Sequence, residues 1–95
     1  MMAAADRAEK TLQIQNDLGL HARAGTRFVQ TASKFPCDIT VTKGGSEVNG
    51  KSILSLLTLM APKGTTITIR ARGERAEDAV AALAQLIDDK FGEGR

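Results

Sequence analysis

Apolar and polar residues along this chain follow two rhythms, and each rhythm predicts an element. Thr11-Leu12-Gln13-Ile14-Gln15 alternates with period two, which predicts a half-buried strand with Leu12 and Ile14 inward. Asn16-Asp17-Leu18-Gly19 reads as a turn. From Ala22 to about Ser33 the rhythm becomes helical. Ala24, Phe28 and Ala32 recur every fourth residue with Val29 beside them, a narrow apolar stripe, while Arg27, Gln30 and Lys34 lie off it. Phe35-Pro36 ends the helix, because the residue before proline is biased away from helical backbone.

Cys37 to Lys43 alternates again and is rich in β-branched residues. Gly44-Gly45 is a hairpin signal, with Ser46-Glu47-Val48-Asn49 returning as a short partner strand. Ser52 is placed as an N-cap for a short helix over Ile53 to Met60. That helix is apolar on more than one face, which predicts that part of it is exposed for binding. Thr65 to Arg72 forms a strand with Ile67, Ile69 and Ala71 on one side. Ala76, Ala79, Val80, Leu83, Leu86, Ile87 and Phe91 mark a strongly amphipathic helix whose start, Glu74-Arg75, is poorly capped. The order is β-α-β-β-α-β-α. Strands with polar outer residues predict an α+β fold: a four-stranded antiparallel sheet, open to water on one face, with three helices on the other. Residues 1–9 and 92–95 read as flexible tails around a single domain over residues 10–91.

Composition narrows the picture modestly. The 95 residues suit one small domain, and with aromatics at 3%, all Phe, the core must be aliphatic. A net charge of +2, with no basic run interleaved with aromatics, argues against nucleic acid. Apolar runs are too short for a membrane span, so no membrane insertion is expected. Cys37 is the sole cysteine, which makes the cytosol the default compartment. It reads as a small buried hydrophobe, with a redox thiol as the alternative. Basic residues recur up to Arg72 and acids concentrate afterwards, a balance that suits acidic protein partners.

His21, the one histidine, is the first candidate for chemistry. If the helix starts at Ala22, His21 is its N-cap. The unsatisfied N–H groups of the first turn and the helix dipole then form an anion site beside the imidazole. Arg23 could neutralise more of an anion's charge. A solvated loop histidine explains the same residues. No second histidine or carboxylate is placed for a metal site or a hydrolytic triad, so no metal and no cofactor are expected.

Gly19-Leu20-His21-Ala22-Arg23 resembles the active-site signature of the HPr family, the histidine-containing phosphocarriers of the bacterial phosphotransferase system. Asn49-Gly50-Lys51-Ser52-Ile53-Leu54 resembles the family's second signature, around a regulatory serine. The resemblance spans roughly Lys10 to Phe91 and implies an open-faced β-sandwich. It implies a cytoplasmic relay protein and not an enzyme; a monomer is the default expectation. His21 would accept a phosphoryl group on Nδ1 from phosphorylated enzyme I and pass it to an EIIA protein, with Arg23 stabilising the phosphate. Ser52 falls on the serine that HPr kinase/phosphorylase modifies in some lineages. As an N-cap, Ser52 also has a sufficient structural explanation. Ala22, Ala24, Arg27, Lys51, Ile53, Leu54 and Leu57 fall on or beside the partner surface. A regulatory adaptor acting through the Ser52 patch is the alternative. One departure stands out: Ala24 replaces the proline common in the family after the arginine, which restores an N–H donor to the first turn.

Overall fold

The structure, a computed structural model, describes residues 6–95. Strands β1 (Arg7–Gln13), β2 (Asp38–Lys43), β3 (Ser46–Asn49) and β4 (Thr66–Arg72) alternate with helices α1 (Ala22–Ala32), α2 (Ile53–Leu57) and α3 (Ala76–Asp88) in the expected order. A 3-10 turn, Lys90–Gly92, follows α3. The sheet order is β1-β4-β2-β3, antiparallel throughout. Ile67, Ile69 and Ala71 of β4 and Ile39 and Val41 of β2 are buried on one face. There they join Ala24 and Phe28 of α1 and Ala79, Leu83 and Ile87 of α3 in a single core. Phe28 and Phe91 are the largest fully buried side chains, and burying each contributes about 1.5–3 kcal/mol. Cys37 is buried in the same core, 2% exposed. Among the described residues, no helix is long and apolar enough to cross a membrane.

Element ends depart from the sequence pattern where tertiary contacts intervene. Residues 1–5 lie outside the described residues, but 7–9 are strand and not tail. Arg7, Ala8 and Glu9 pair with Arg72, Ala71 and Arg70 of β4, and Glu9 accepts from Arg70 Nε at 2.8 Å. The alternation was hidden because exposed Lys10 occupies the inward register between Ala8 and Leu12. Charge of this kind on an edge strand discourages pairing with other chains. α2 stops at Leu57, short of Met60. Met60 takes a left-handed backbone (φ 53°), and Lys43 Nζ donates to the carbonyls of Leu59 and Met60 at 2.8 and 2.9 Å. α3 begins after a left-handed Arg75 without a side-chain cap, with Glu77 and Asp78 in its first turn, where acids complement the helix dipole. It ends at Asp88 and does not continue to Phe91.

Candidate functional site

His21 is the N-cap of α1, with extended backbone (φ −91°, ψ −176°) and no side-chain capping bond. Its N–H donates to Gly19 O at 3.0 Å, and its carbonyl accepts from the N–H of Gly25 at 2.8 Å. The first turn's donors therefore keep their capacity for an anion. Gly19 makes the approach possible. Its φ is +70°, and a Cβ there would lie 2.6 Å from Ala61 O and 2.7 Å from Pro62 Cα. The next residue, Leu20, donates its N–H to Ala61 O at 2.9 Å. The loop thus lies flat against the 61–62 segment and delivers His21 to the helix start.

The imidazole is 26% exposed, and its Nε2 lies 2.5 Å from Oε2 of Glu93, whose side chain is 6% exposed. Oε1 of Glu93 accepts from Asn16 Nδ2 at 2.8 Å. Asn16 Nδ2 also donates to Gly19 O at 2.7 Å. Burial pushes the Glu93 carboxyl up, but hydrogen bonds from Asn16 and His21, with the charges of His21 and Arg23, outweigh it and hold the group below the ordinary glutamate range. Arg23 is exposed in the first turn. With Asp17, Leu18, Glu93 and Arg95 it lines an open hollow of about 440 Å³. A larger concavity, about 760 Å³, lies on the outer sheet face among Arg7, Glu9, Asp38, Glu47, Arg70 and Arg72, where acids and bases balance.

Glu93 and Arg95 reach this site because residues 92–95 are not a free tail. Lys90 and Phe91 both take left-handed backbone (φ 56° and 55°), and Gly92 and Gly94 follow with φ of 77° and 82°. The chain reverses, burying Phe91 completely, and Arg27 Nη1 donates to Phe91 O at 2.8 Å. A glutamate between two glycines after an amphipathic helix was the sequence signal. It is a weak one, since His21 and Glu93 are 72 positions apart.

Residues 8–89 match the family model for the PTS HPr component phosphorylation site. This chain belongs to the HPr family. It is similar to phosphocarrier protein HPr of Neisseria meningitidis, 49% identical over 86 residues, 90% of this chain and 97% of that one. It is also similar to phosphocarrier protein NPr of Shewanella violacea, 41% identical over 85 residues, 90% of this chain and 93% of that one. HPr-C-His from Thermoanaerobacter tengcongensis shares the fold with a TM-score of 0.88 at 45% identity, over 90% of this chain and 97% of that one.

The second HPr-like signature folds as a capped helix start. Ser52 Oγ accepts from the N–H of Ser55 at 3.2 Å, on extended backbone at the N-cap of α2. Leu54 (78%) and Met60 (73%) are exposed nearby, while Ile53 and Leu57 are half-buried. Ala22 is exposed beside His21. Ala24 is a correction to the expected partner surface. It is 0% exposed, because it lies on the α1 stripe that packs into the core, so it presents no surface. Two further candidates are committed within the chain: Arg27 holds Phe91 O, and Lys51 Nζ donates to Phe35 O at 2.7 Å. Leu18, in the loop before His21, is also exposed, at 65%.

Proposed function

We propose that this HPr-family chain is a phosphoryl carrier in which His21 accepts the group on Nδ1 from phosphorylated enzyme I and hands it to an EIIA protein in the cytoplasm. The observation that carries this reading is the imidazole at the uncapped start of α1, beside Arg23, with one ring nitrogen committed to Glu93. The first-turn N–H groups and the helix dipole suit the incoming dianion. A partly exposed acceptor suits a relay, which must be reached by one protein and then another. The hollow beside Arg23 and Glu93 is open, which suits the holder of a carried group. Incubation with enzyme I and phosphoenolpyruvate should add one phosphoryl mass. No gain with a competent cognate enzyme I would overturn the proposal.

Arg23 supplies charge without structural duty, being exposed and making no hydrogen bond among the described residues. In Arg23→Ala, transfer from enzyme I should slow about tenfold or more, the loss expected for one charge-assisted hydrogen bond. The melting temperature should stay nearly constant, as for other surface changes. A large loss of stability would make the arginine structural instead.

Ser52 is assigned a regulatory role beside the exposed Leu54. A phosphoryl dianion at this N-cap would leave the helix intact and repel an acidic partner from the apolar patch. Ser52→Asp should therefore weaken phosphotransfer from enzyme I several-fold with an unchanged circular dichroism spectrum. A wild-type rate would remove the assignment.

A further inference from the structure

We infer that Glu93 is a positioning residue for His21: through it, the chain's own C-terminal turn decides which ring nitrogen takes the phosphoryl group and how readily the group leaves. The inference rests on the carrier reading above. It begins with the chemistry of the contact. An ionised carboxylate has no proton to give, so the 2.5 Å contact requires Nε2 to be the donor. In a neutral imidazole the other nitrogen then carries the lone pair. That nitrogen is Nδ1, which makes no hydrogen bond among the described residues.

The carboxylate is itself held. Asn16 is fully buried and donates to the second oxygen of Glu93. Asn16 also donates to Gly19 O, in the loop that places His21. Phe91, completely buried, and Arg27, bonded to Phe91 O, anchor the turn that carries Glu93. Asn16, Glu93 and His21 form a chain in which each member orients the next, the arrangement by which acids elsewhere orient a reactive histidine.

The transfer then balances without moving a proton. The Nδ1 lone pair forms a bond to phosphorus as the donor's P–N bond breaks, and the donor keeps that electron pair. The ring becomes cationic, still bearing Nε2–H, and Glu93 compensates its charge. On transfer to the acceptor the Nδ1–P electron pair returns to Nδ1, and a neutral imidazole is left behind. Without the Nε2 proton the leaving group would be an imidazolate, a far poorer one. The other charges around the site are Arg23 from α1, Arg95 from the C-terminal residues, and Asp17 paired with Lys63 at 3.1 Å. Of these groups and Glu93, only Glu93 is an acid in contact with the ring.

The test uses nitrogen-15 NMR and transfer kinetics on wild type, Glu93→Gln and Glu93→Ala. In the wild type, an Nε2–H proton resonance should appear at low field and exchange slowly, with Nδ1 unprotonated. Both variants should lose that protected resonance. Transfer of the phosphoryl group onward at about pH 8 should fall about tenfold in both, the effect of removing one opposing charge at close range. Wild-type transfer in both variants overturns the inference, as does an Nδ1–H resonance in the wild type or an Nε2–H resonance that stays protected in Glu93→Ala. The NMR readout needs no phosphate. A wild type that never becomes phosphorylated would therefore sink the carrier reading and leave the tautomer result standing.

Discussion

Replacing His21 by alanine is expected to abolish phosphoryl acceptance from enzyme I, with no residual mass gain, while the chain remains folded. The chain has one histidine, so no second imidazole can form a P–N bond. The wild-type product should be lost on brief acid treatment and survive alkali, unlike a phosphoserine. Structurally, the variant removes the donor to Glu93 Oε2 and leaves Asn16 on Oε1. Loss of one partner of a charged hydrogen bond costs about 1–3 kcal/mol, against a total of about 5–15 kcal/mol for a small domain. A melting temperature several degrees lower with native circular dichroism is therefore the expected companion result. An acid-labile phosphoryl group that persists in His21→Ala would remove His21 from the acceptor role.

Gly19→Ala is expected to damage the protein more than any other single-methyl addition near the site. Two effects add. An alanine at φ +70° is in the left-handed region, at a cost of about 1–2 kcal/mol. Its Cβ would also meet Ala61 O at 2.6 Å and Pro62 Cα at 2.7 Å. Both are backbone atoms that cannot rotate aside, and relieving such overpacking costs about 1–3 kcal/mol. The sum, about 2–5 kcal/mol, lowers the melting temperature of a domain this size by about 10 °C or more. The loop would have to lift from the 61–62 segment, straining the Leu20–Ala61 bond and the Gly19 carbonyl that Asn16 holds. Phosphoryl acceptance should fall with it, even well below the melting temperature. Gly44→Ala is the control. Gly44 has φ +57° but nothing within 4 Å of a Cβ, so it should show the backbone cost alone. Equal melting temperatures for the two variants would refute the contact argument.

The fold was legible wherever one face of an element is buried and the other solvated. β4 shows this best: Ile67, Ile69 and Ala71 are buried, and the residues between them are not. The α1 stripe of Ala24, Phe28 and Ala32 is equally direct. The N-cap at Ser52 was visible because capping is a matter of neighbouring residues. Failures cluster where that local logic stops. Lys10 breaks the alternation on an edge strand, so the start of β1 was hidden. Phe91 fits the helical period of α3, yet it enters the core from a left-handed turn. Periodicity reports that a residue is buried and not by which route. Ala24 was placed on the partner surface by the family resemblance, whereas the α1 stripe it belongs to packs it into the core.

The candidate site divides along the same line. The sequence by itself determined the strand and helix order, the glycine turn before His21, the place of His21 at a helix start, and the nearness of Arg23. All of these depend on residues within a few positions of one another, where the backbone has few choices. Only the tertiary structure decided that Nε2 of His21 is held by Glu93 and that Asn16 holds Glu93 in turn. No local rule links position 21 to position 93. Their contact exists because Phe91 is more stable buried than exposed, and because the kink that buries it reverses the chain toward α1. The histidine was a local fact, and its committed nitrogen is a consequence of how the core closes.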